Sequence, residues 1–262
     1  MVISGNTRLI AHLGYPTAKF KAPMIYNPWL VHQQVDAKVV PMGVKPEDYA
    51  AFVPMLFKMT NIIGALVTMP HKIATCGLVQ RLSPTAAIAG ACNAIRAEAD
   101  GTLSGDMFDG EGFVLGIKRK GFQTRGARAL VVGSGGVGSA IAASQTAEAL
   151  AGRLLQHYPR LDITLMRRDP QGHDLVVNAT PLGMKEGDPL PLDPQRLTPG
   201  TFVGEVVMAQ EFTPLLQAAR AAGCPIQRGT DMLFEMIPAY LRFFNLPVAT
   251  PEQLRELAEI RY

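Results

Sequence analysis

The chain has 262 residues, 48% of them hydrophobic and 18% charged, with a formal net charge of +3. That length supports one large or two small domains with a real core, and the composition argues against disorder. No run of like charges exceeds Lys118-Arg119-Lys120, so there is no footprint for nucleic acid or an anionic membrane, and no apolar run is long enough to span a bilayer.

Cys76, Cys92 and Cys224 are odd in number and widely spaced, with no CxxC. They read as reduced thiols. The N-terminus has no basic-then-apolar signal pattern, and a cytoplasmic protein is expected.

The N-terminal part alternates short apolar runs with helix-like stretches. Thr7-Arg8-Leu9-Ile10-Ala11-His12-Leu13 predicts a strand ending at Gly14, with further strands at residues 35–42 and 64–68. Between them, residues 22–33 and 46–59 carry apolar side chains at helical spacing, and Glu47 and Asp48 lie where the second of these helices starts. Strands alternating with helices predict a mostly parallel sheet covered on both faces. A second unit begins near Gly105. It predicts a helix at 108–120, a strand at 128–132, a long alanine-rich helix at 138–158, and strands at 161–166 and 174–178. Residues 181–199, rich in Pro, Gly and Asp, predict a loop. A strand at 202–207, a helix at 213–222, a short strand at 225–227 and closing helices at 232–244 and 251–260 complete the chain.

Two features carry chemistry. Val131-Val132-Gly133-Ser134-Gly135-Gly136-Val137-Gly138 is an apolar strand running into a glycine-rich turn that opens a helix. In that context Gly133 permits the tight turn, Gly135 lets backbone approach a pyrophosphate, and Gly138 allows close strand–helix packing. The unpaired N–H groups of Gly136, Val137 and their neighbours, with the helix dipole, would hold the anion. A glycine-rich turn in any α/β fold is the competing reading. The next strand comes late and ends in Arg167-Arg168. Either a helix–strand segment is missing after about Ser144, or one long helix leads directly to that strand. In the second case Arg167 and Arg168 would lie near an adenosine ribose; otherwise they are surface charge. NAD against NADP stays open.

The second feature is Lys72, ending Val67-Thr68-Met69-Pro70-His71-Lys72, with Asp109 in Gly105-Asp106-Met107-Phe108-Asp109-Gly110. An ammonium and a carboxylate form a proton-handling pair, because burial and a nearby anion tune a lysine in opposite directions. A partly buried ion pair is the alternative. With the glycine turn, the pair points to a nicotinamide-dependent dehydrogenase acting on an alcohol or ketone. His71 is expected to be structural. His12, His32, His157 and His173 show no metal-ligand spacing, and no metal is expected.

These motifs, in this order, resemble the shikimate dehydrogenase family from about Leu9 to the C-terminus. Gly14-Tyr15-Pro16, Pro23 and Asn27 look like its substrate loop, residues 64–72 like its catalytic-lysine segment, and Ala91-Cys92-Asn93 like its substrate-binding asparagine. Residues 105–110 look like the catalytic-aspartate segment, and Asn178-Ala179-Thr180-Pro181-Leu182-Gly183-Met184 like the loop beside the nicotinamide. Gly229 and Met232-Leu233 look like the elements closing over it. The resemblance implies Lys72 and Asp109 as catalytic residues and Thr68 and Asn93 as substrate ligands. Asn178, Ala179, Thr180, Val206, Gly229 and Met232 would join the glycine turn as cofactor ligands.

The departures are as informative. Phe20 and Ala22 stand where the family carries two carboxylate-binding serines, and Met107-Phe108 where it carries Asn-Thr. Met208 replaces a pocket tyrosine and Met236 a glutamine of the closing helix. Losing buried hydrogen-bond partners for a polyhydroxy acid can cost orders of magnitude in specificity. These six positions are expected to line a pocket changed in recognition, with the chemistry retained.

The expectation is therefore an α/β protein of two domains. An N-terminal α/β substrate domain would take residues 1–105 plus 236–262, and a Rossmann-type dinucleotide-binding domain, shortened or not by one strand, residues 106–235. The implied enzyme uses NAD or NADP on a small-molecule substrate, a cyclic hydroxy acid or a less polar relative, as in aromatic amino acid biosynthesis. It would be a monomer or homodimer with no nucleic-acid or membrane partner. A non-catalytic dinucleotide- or ligand-sensing protein on the same scaffold is the alternative.

Overall fold

The computed structural model describes residues 3–133, 147–165 and 168–262. The chain divides into two compact units, Met1–Phe108 with Met236–Arg261 and Asp109–Glu235 with Tyr262.

The first unit opens with β1 (Arg8–Gly14), α1 (Pro23–His32), β2 (Ala37–Gly43), α2 (Pro46–Leu56), β3 (Ile62–Val67) and α3 (Lys72–Thr75). It continues through β4 (Arg81–Leu82), α4 (Pro84–Ala89), β5 (Ala94–Ala97) and β6 (Leu103–Asp106). The sheet order is β2-β1-β3-β5-β6-β4. β1 pairs parallel with β2 and β3, whereas β5 runs antiparallel to both β3 and β6. The parallel part has the apolar sequences such strands need when buried on both faces: Ile10, Ala11 and Leu13 on β1 and Ala65 on β3 are wholly inaccessible. The hairpin β5–β6 has no counterpart among the strands predicted from sequence. Its strands are only four residues each, too short for a periodic signal, and its turn signal is the single Asp100-Gly101 pair.

Among the described residues, four helices of this unit start on proline, at Pro23, Pro46, Pro84 and Pro251. The ring's fixed φ suits a first helical position, where the missing N–H is not needed. Short α3 is held by its neighbours rather than by its own length. The His71 ring stacks on Tyr49 at 3.9 Å with 2° between planes. Its Nε2 bonds the Val44 carbonyl at 2.8 Å, and the Tyr49 hydroxyl bonds the Thr75 hydroxyl at 2.7 Å. His71 thus turns into the core, while Lys72 follows as the first residue of α3.

The second unit holds α5 (Asp109–Arg119), β7 (Ala129–Val132), α6 (Ala147–His157), β8 (Leu175–Asn178), β9 (Phe202–Glu205), α7 (Pro214–Ala221) and β10 (Ile226–Gln227). Helix α8 (Gly229–Phe243) begins here, and its residues from Met236 belong to the first unit, as does α9 (Pro251–Leu257). The four strands are parallel in the order β10-β9-β8-β7. This is an α/β, Rossmann-type arrangement.

The strand expected at 161–166 is not formed by residues 161–165, and Met166 lies outside the described residues. Leu161, Asp162, Thr164 and Leu165 are exposed. A β-branched, apolar segment becomes a strand only when a neighbour pairs with it and buries one face. Among the described residues no strand flanks β7 on the side away from β8. The helix expected at 138–158 is present as α6 from Ala147; residues 138–146 lie outside the described residues.

The His71 anchor can be tested directly. His71→Phe keeps the ring stack but leaves the Val44 carbonyl unpaired, and should lower stability by about 1–3 kcal/mol in urea denaturation. An unchanged midpoint would show that the bond contributes nothing.

Candidate functional site

In the first unit the predicted residues gather where β1 and β3 end. The Thr68 amide donates to the Leu13 carbonyl at 2.8 Å, and the Tyr15 amide to the Met69 carbonyl at 3.1 Å, so the two strand exits run side by side. They are so close at Gly14 that a Cβ there would lie 2.5 Å from the Thr68 methyl and 2.7 Å from the Phe20 ring. Phe20 also packs on His12, with ring centroids 4.1 Å apart. Ala22 is buried at the start of α1. Lys21, between these two, bonds the Arg261 carbonyl.

Lys72 and Asn93 are both buried. The Lys72 carbonyl accepts from the Cys92 amide at 2.8 Å, which brings α3 against the segment carrying Asn93. Asn93 in turn donates its amide to the Asp106 carbonyl at 2.9 Å and accepts from the Val67 amide at 2.7 Å. Its Oδ1 accepts from the Phe108 amide at 3.1 Å. Met107 and Phe108 are buried, and the Phe108 ring packs edge-on against Tyr240 at 4.7 Å. Thr68, Lys72, Asn93, Phe20 and Phe108 are therefore linked within one unit. Met236 is buried on the part of α8 that belongs to it.

His12 is the residue here that sequence reasoning passed over. Burial, with the Lys72 charge adding to it, lowers its pKa to about 3, so the ring is neutral. Its Nδ1 is buried with no hydrogen-bond partner.

In the second unit, Asp109 is buried at the start of α5. Gly133, Asn178, Ala179, Thr180 and Val206 lie at the carboxyl ends of the parallel strands, where open α/β sheets bind ligands. Gly133 follows β7 with φ +111°, and a Cβ on it would lie 2.7 Å from the Ala179 carbonyl carbon. Glycine is thus required twice at this position, by conformation and by close approach. Asn178 ends β8 fully buried, its Oδ1 accepting from the Thr180 amide at 3.1 Å and hydroxyl at 2.7 Å. Val206 follows β9, and Gly229, the first residue of α8, is packed against the Val206–Val207 backbone. Met232 is buried in a cluster with Phe113, Val177 and Phe202, which Met208 flanks. Arg168 is exposed; Gly135, Gly136, Val137, Gly138 and Arg167 lie outside the described residues.

The residue missed in this unit is Glu205. It is fully buried at the end of β9, and burial raises its pKa to about 7 against the pull of four hydrogen-bonding groups. An isolated acid in an apolar run, Phe202-Val203-Gly204-Glu205-Val206-Val207, is the one sequence signal that pointed to it. Among the described residues no group of His, Cys, Asp or Glu could hold a metal ion, and no helix is long and apolar enough to cross a membrane.

Residues 13–95 match the family described as the shikimate dehydrogenase substrate binding domain. The chain is 34% identical to the shikimate dehydrogenase (NADP(+)) of Acidiphilium cryptum (strain JF-5), with 98% of each covered. That alignment runs over 273 positions, more than the 262 of this chain, so the relative has residues without a counterpart here. A crystal structure of a shikimate dehydrogenase in complex with NADP+ shares the fold, with a TM-score of 0.86 at 22% identity over 98% of this chain and 96% of that one. Quinate dehydrogenase from Corynebacterium glutamicum in complex with NAD gives a TM-score of 0.80 at 25% identity over 96% and 98%.

The two buried titrating groups act on stability with opposite signs. His12 is held neutral in the fold, so its contribution is present above about pH 6.5 and is lost as pH falls toward about 3. Glu205 contributes fully below about pH 4.5, and its contribution is lost as pH rises through about 7. His12→Asn should therefore remove an acid-side loss of about 5 kcal/mol, at about 1.4 kcal/mol per pH unit. Denaturant unfolding across that window reads it, and parallel wild-type and variant profiles would refute the assignment.

Proposed function

Because the chain belongs to the shikimate dehydrogenase family, we propose that its first unit binds a cyclic hydroxy acid, shikimate- or quinate-like or a less polar relative, for oxidation or reduction at one carbon. The protein is an NAD(P)-dependent oxidoreductase of the shikimate/quinate dehydrogenase family. The observation that supports the substrate reading most is the linkage of Thr68, Lys72 and Asn93 through the Lys72–Cys92 and Val67–Asn93 backbone bonds.

The second unit fits a dinucleotide at its strand ends. Gly133, with φ +111° and no room for a Cβ, supports this reading, because the position at the end of β7 admits glycine alone. Gly133, Gly135, Gly136, Val137 and Gly138 would hold the pyrophosphate, and Arg167 and Arg168 would meet the adenosine ribose, with NAD or NADP as the ligand. Asn178, Ala179, Thr180, Val206, Gly229 and Met232 would form the wall around the nicotinamide. When bound, that ring supplies the hydride acceptor or donor.

The chain's own residues handle the rest. Lys72 gives or takes the proton at the substrate oxygen, and Asp109 bonds that hydroxyl or its neighbour and orients it. Thr68 and Asn93 hold further substrate oxygens; the Oδ1 of Asn93 already accepts from Phe108, which fixes the side chain's direction. Phe20, Ala22, Met107, Phe108, Met208 and Met236 make the walls apolar. Such walls favour a substrate with fewer polar groups than a polyhydroxy acid. The division into a substrate domain (1–105 plus 236–262) and a dinucleotide domain (106–235) is part of this reading. So are a cytoplasmic location and a monomer or homodimer without nucleic-acid or membrane partners.

Lys72→Met should lower turnover by about 100-fold or more while leaving dinucleotide affinity unchanged. Reduced-nicotinamide absorbance with both dinucleotides against shikimate, quinate and less polar cyclic alcohols gives the rate. Undiminished turnover would sink the role of Lys72. Tight dinucleotide binding without turnover of any alcohol would favour the sensing protein instead.

A further inference from the structure

Glu205 has no part in the chemistry above, yet it is fully buried and accepts hydrogen bonds on both oxygens. Oε1 accepts from the Val206 amide at 2.9 Å, the Val207 amide at 3.0 Å and the Asn178 side-chain amide at 3.0 Å. Oε2 accepts from the same Asn178 amide at 3.1 Å and from the Thr213 hydroxyl at 2.9 Å. These partners come from three segments: the end of β8, the turn after β9 and the start of α7. Asn178 also donates to the Leu182 carbonyl and fixes Thr180, so the turn after β8 is set from one end. Val206 and Val207 carry the turn after β9, and Gly229 at the start of α8 packs on their backbone. Thr213 is the N-cap of α7, accepting from the Leu216 amide.

We infer that Glu205 is the positioning residue that sets the nicotinamide-side wall, by holding the turns after β8 and β9 and the start of α7 in one register. The inference rests on the reading that a dinucleotide binds at the carboxyl ends of this sheet. The physical case is one of donor counting. Every partner presents an N–H or O–H, so the site demands an acceptor on all sides. A carboxylate meets that demand with both oxygens. An amide of the same shape must turn an NH2 toward at least one donor, and two donors facing each other in a buried site force a turn to move. The shorter Glu205→Asp keeps the charge and the adjacent Val206 and Val207 amides but withdraws from Asn178 and Thr213. It should stand between wild type and Glu205→Gln. Glu205 touches neither substrate nor cofactor on this account; it acts through Asn178, Thr180 and Val206.

The test is dinucleotide binding and steady-state kinetics on the full-length protein, with NADP and NAD titrated separately. Glu205→Gln should raise the dinucleotide Kd and KM about tenfold or more, while kcat at saturating dinucleotide and the KM of the alcohol change less than about threefold. Thr213→Val removes a single donor and should raise the same constants about two- to fivefold in the same direction. It carries the test alone if Glu205→Gln does not fold. A merely structural residue would lower the melting temperature without this split between the two KM values. Folded variants binding dinucleotide as tightly as wild type would overturn the inference. If wild type binds neither dinucleotide, the reading of the sheet's end as a cofactor site fails as well, and the two failures are distinguishable.

Discussion

The first unit's site depends on what happens at Asn93. The backbone there bonds Val67 on one side and Asp106 on the other, and the side chain bonds the Phe108 amide. The hydroxyl of Tyr240, on α8, reaches the same residue's carbonyl at 3.3 Å. One buried position thus ties the ends of β3 and β6 and a helix from the far end of the chain. Its neighbour Cys92 adds α3 through the Lys72 carbonyl. An asparagine suits this role because it brings an acceptor and donors into a place where an apolar residue would leave the Phe108 amide unpaired, at the cost of a buried polar group. The lysine backbone is positioned by the bond from the Cys92 amide and by the adjoining His71 anchor.

The second unit solves the same problem with a charge. Buried ion pairs and lone carboxylates are expensive, and among the described residues four hydrogen-bonding groups partly offset the burial of Glu205. The result is a carboxylate whose removal from water and whose hydrogen bonds pull in opposite directions, with burial the larger. Placing such a group directly beneath the turns that end β8 and β9 makes their geometry a single cooperative arrangement rather than a set of independent loops.

How much of this was legible in the sequence depended on signal length. Long parallel strands such as β1 and β2, and the helices α1 and α2, were visible because seven or more residues repeat one pattern. The glycine turn and the Lys72 segment were visible as motifs with a physical reason for each residue. The β5–β6 hairpin was too short to show. The segment at 161–165 showed a strand's composition without a partner to make it one, which no local pattern reveals. Glu205 and His12 escaped for a different reason: an isolated ionisable residue in an apolar run looks like an irregularity until the donors around it, or their absence, are known. The apolar replacements at Phe20, Ala22, Met107 and Phe108 were legible only beside the family resemblance.

Among the described residues β7 has a paired neighbour on one side only, β8. In a doubly wound sheet the strand beyond the glycine turn carries the group that meets the adenosine ribose, and among the described residues that strand is not formed. On the dinucleotide reading proposed above, the wall at the ends of β8 and β9 is the part of the cofactor site that the described residues build. A wall that carries more of the affinity gains more from being rigid before the ligand arrives, since ordering it on binding would cost free energy at that step. A buried acid with four hydrogen-bonding partners is one way to make it rigid. On that reading, the over-determined turn is ordered before the ligand arrives.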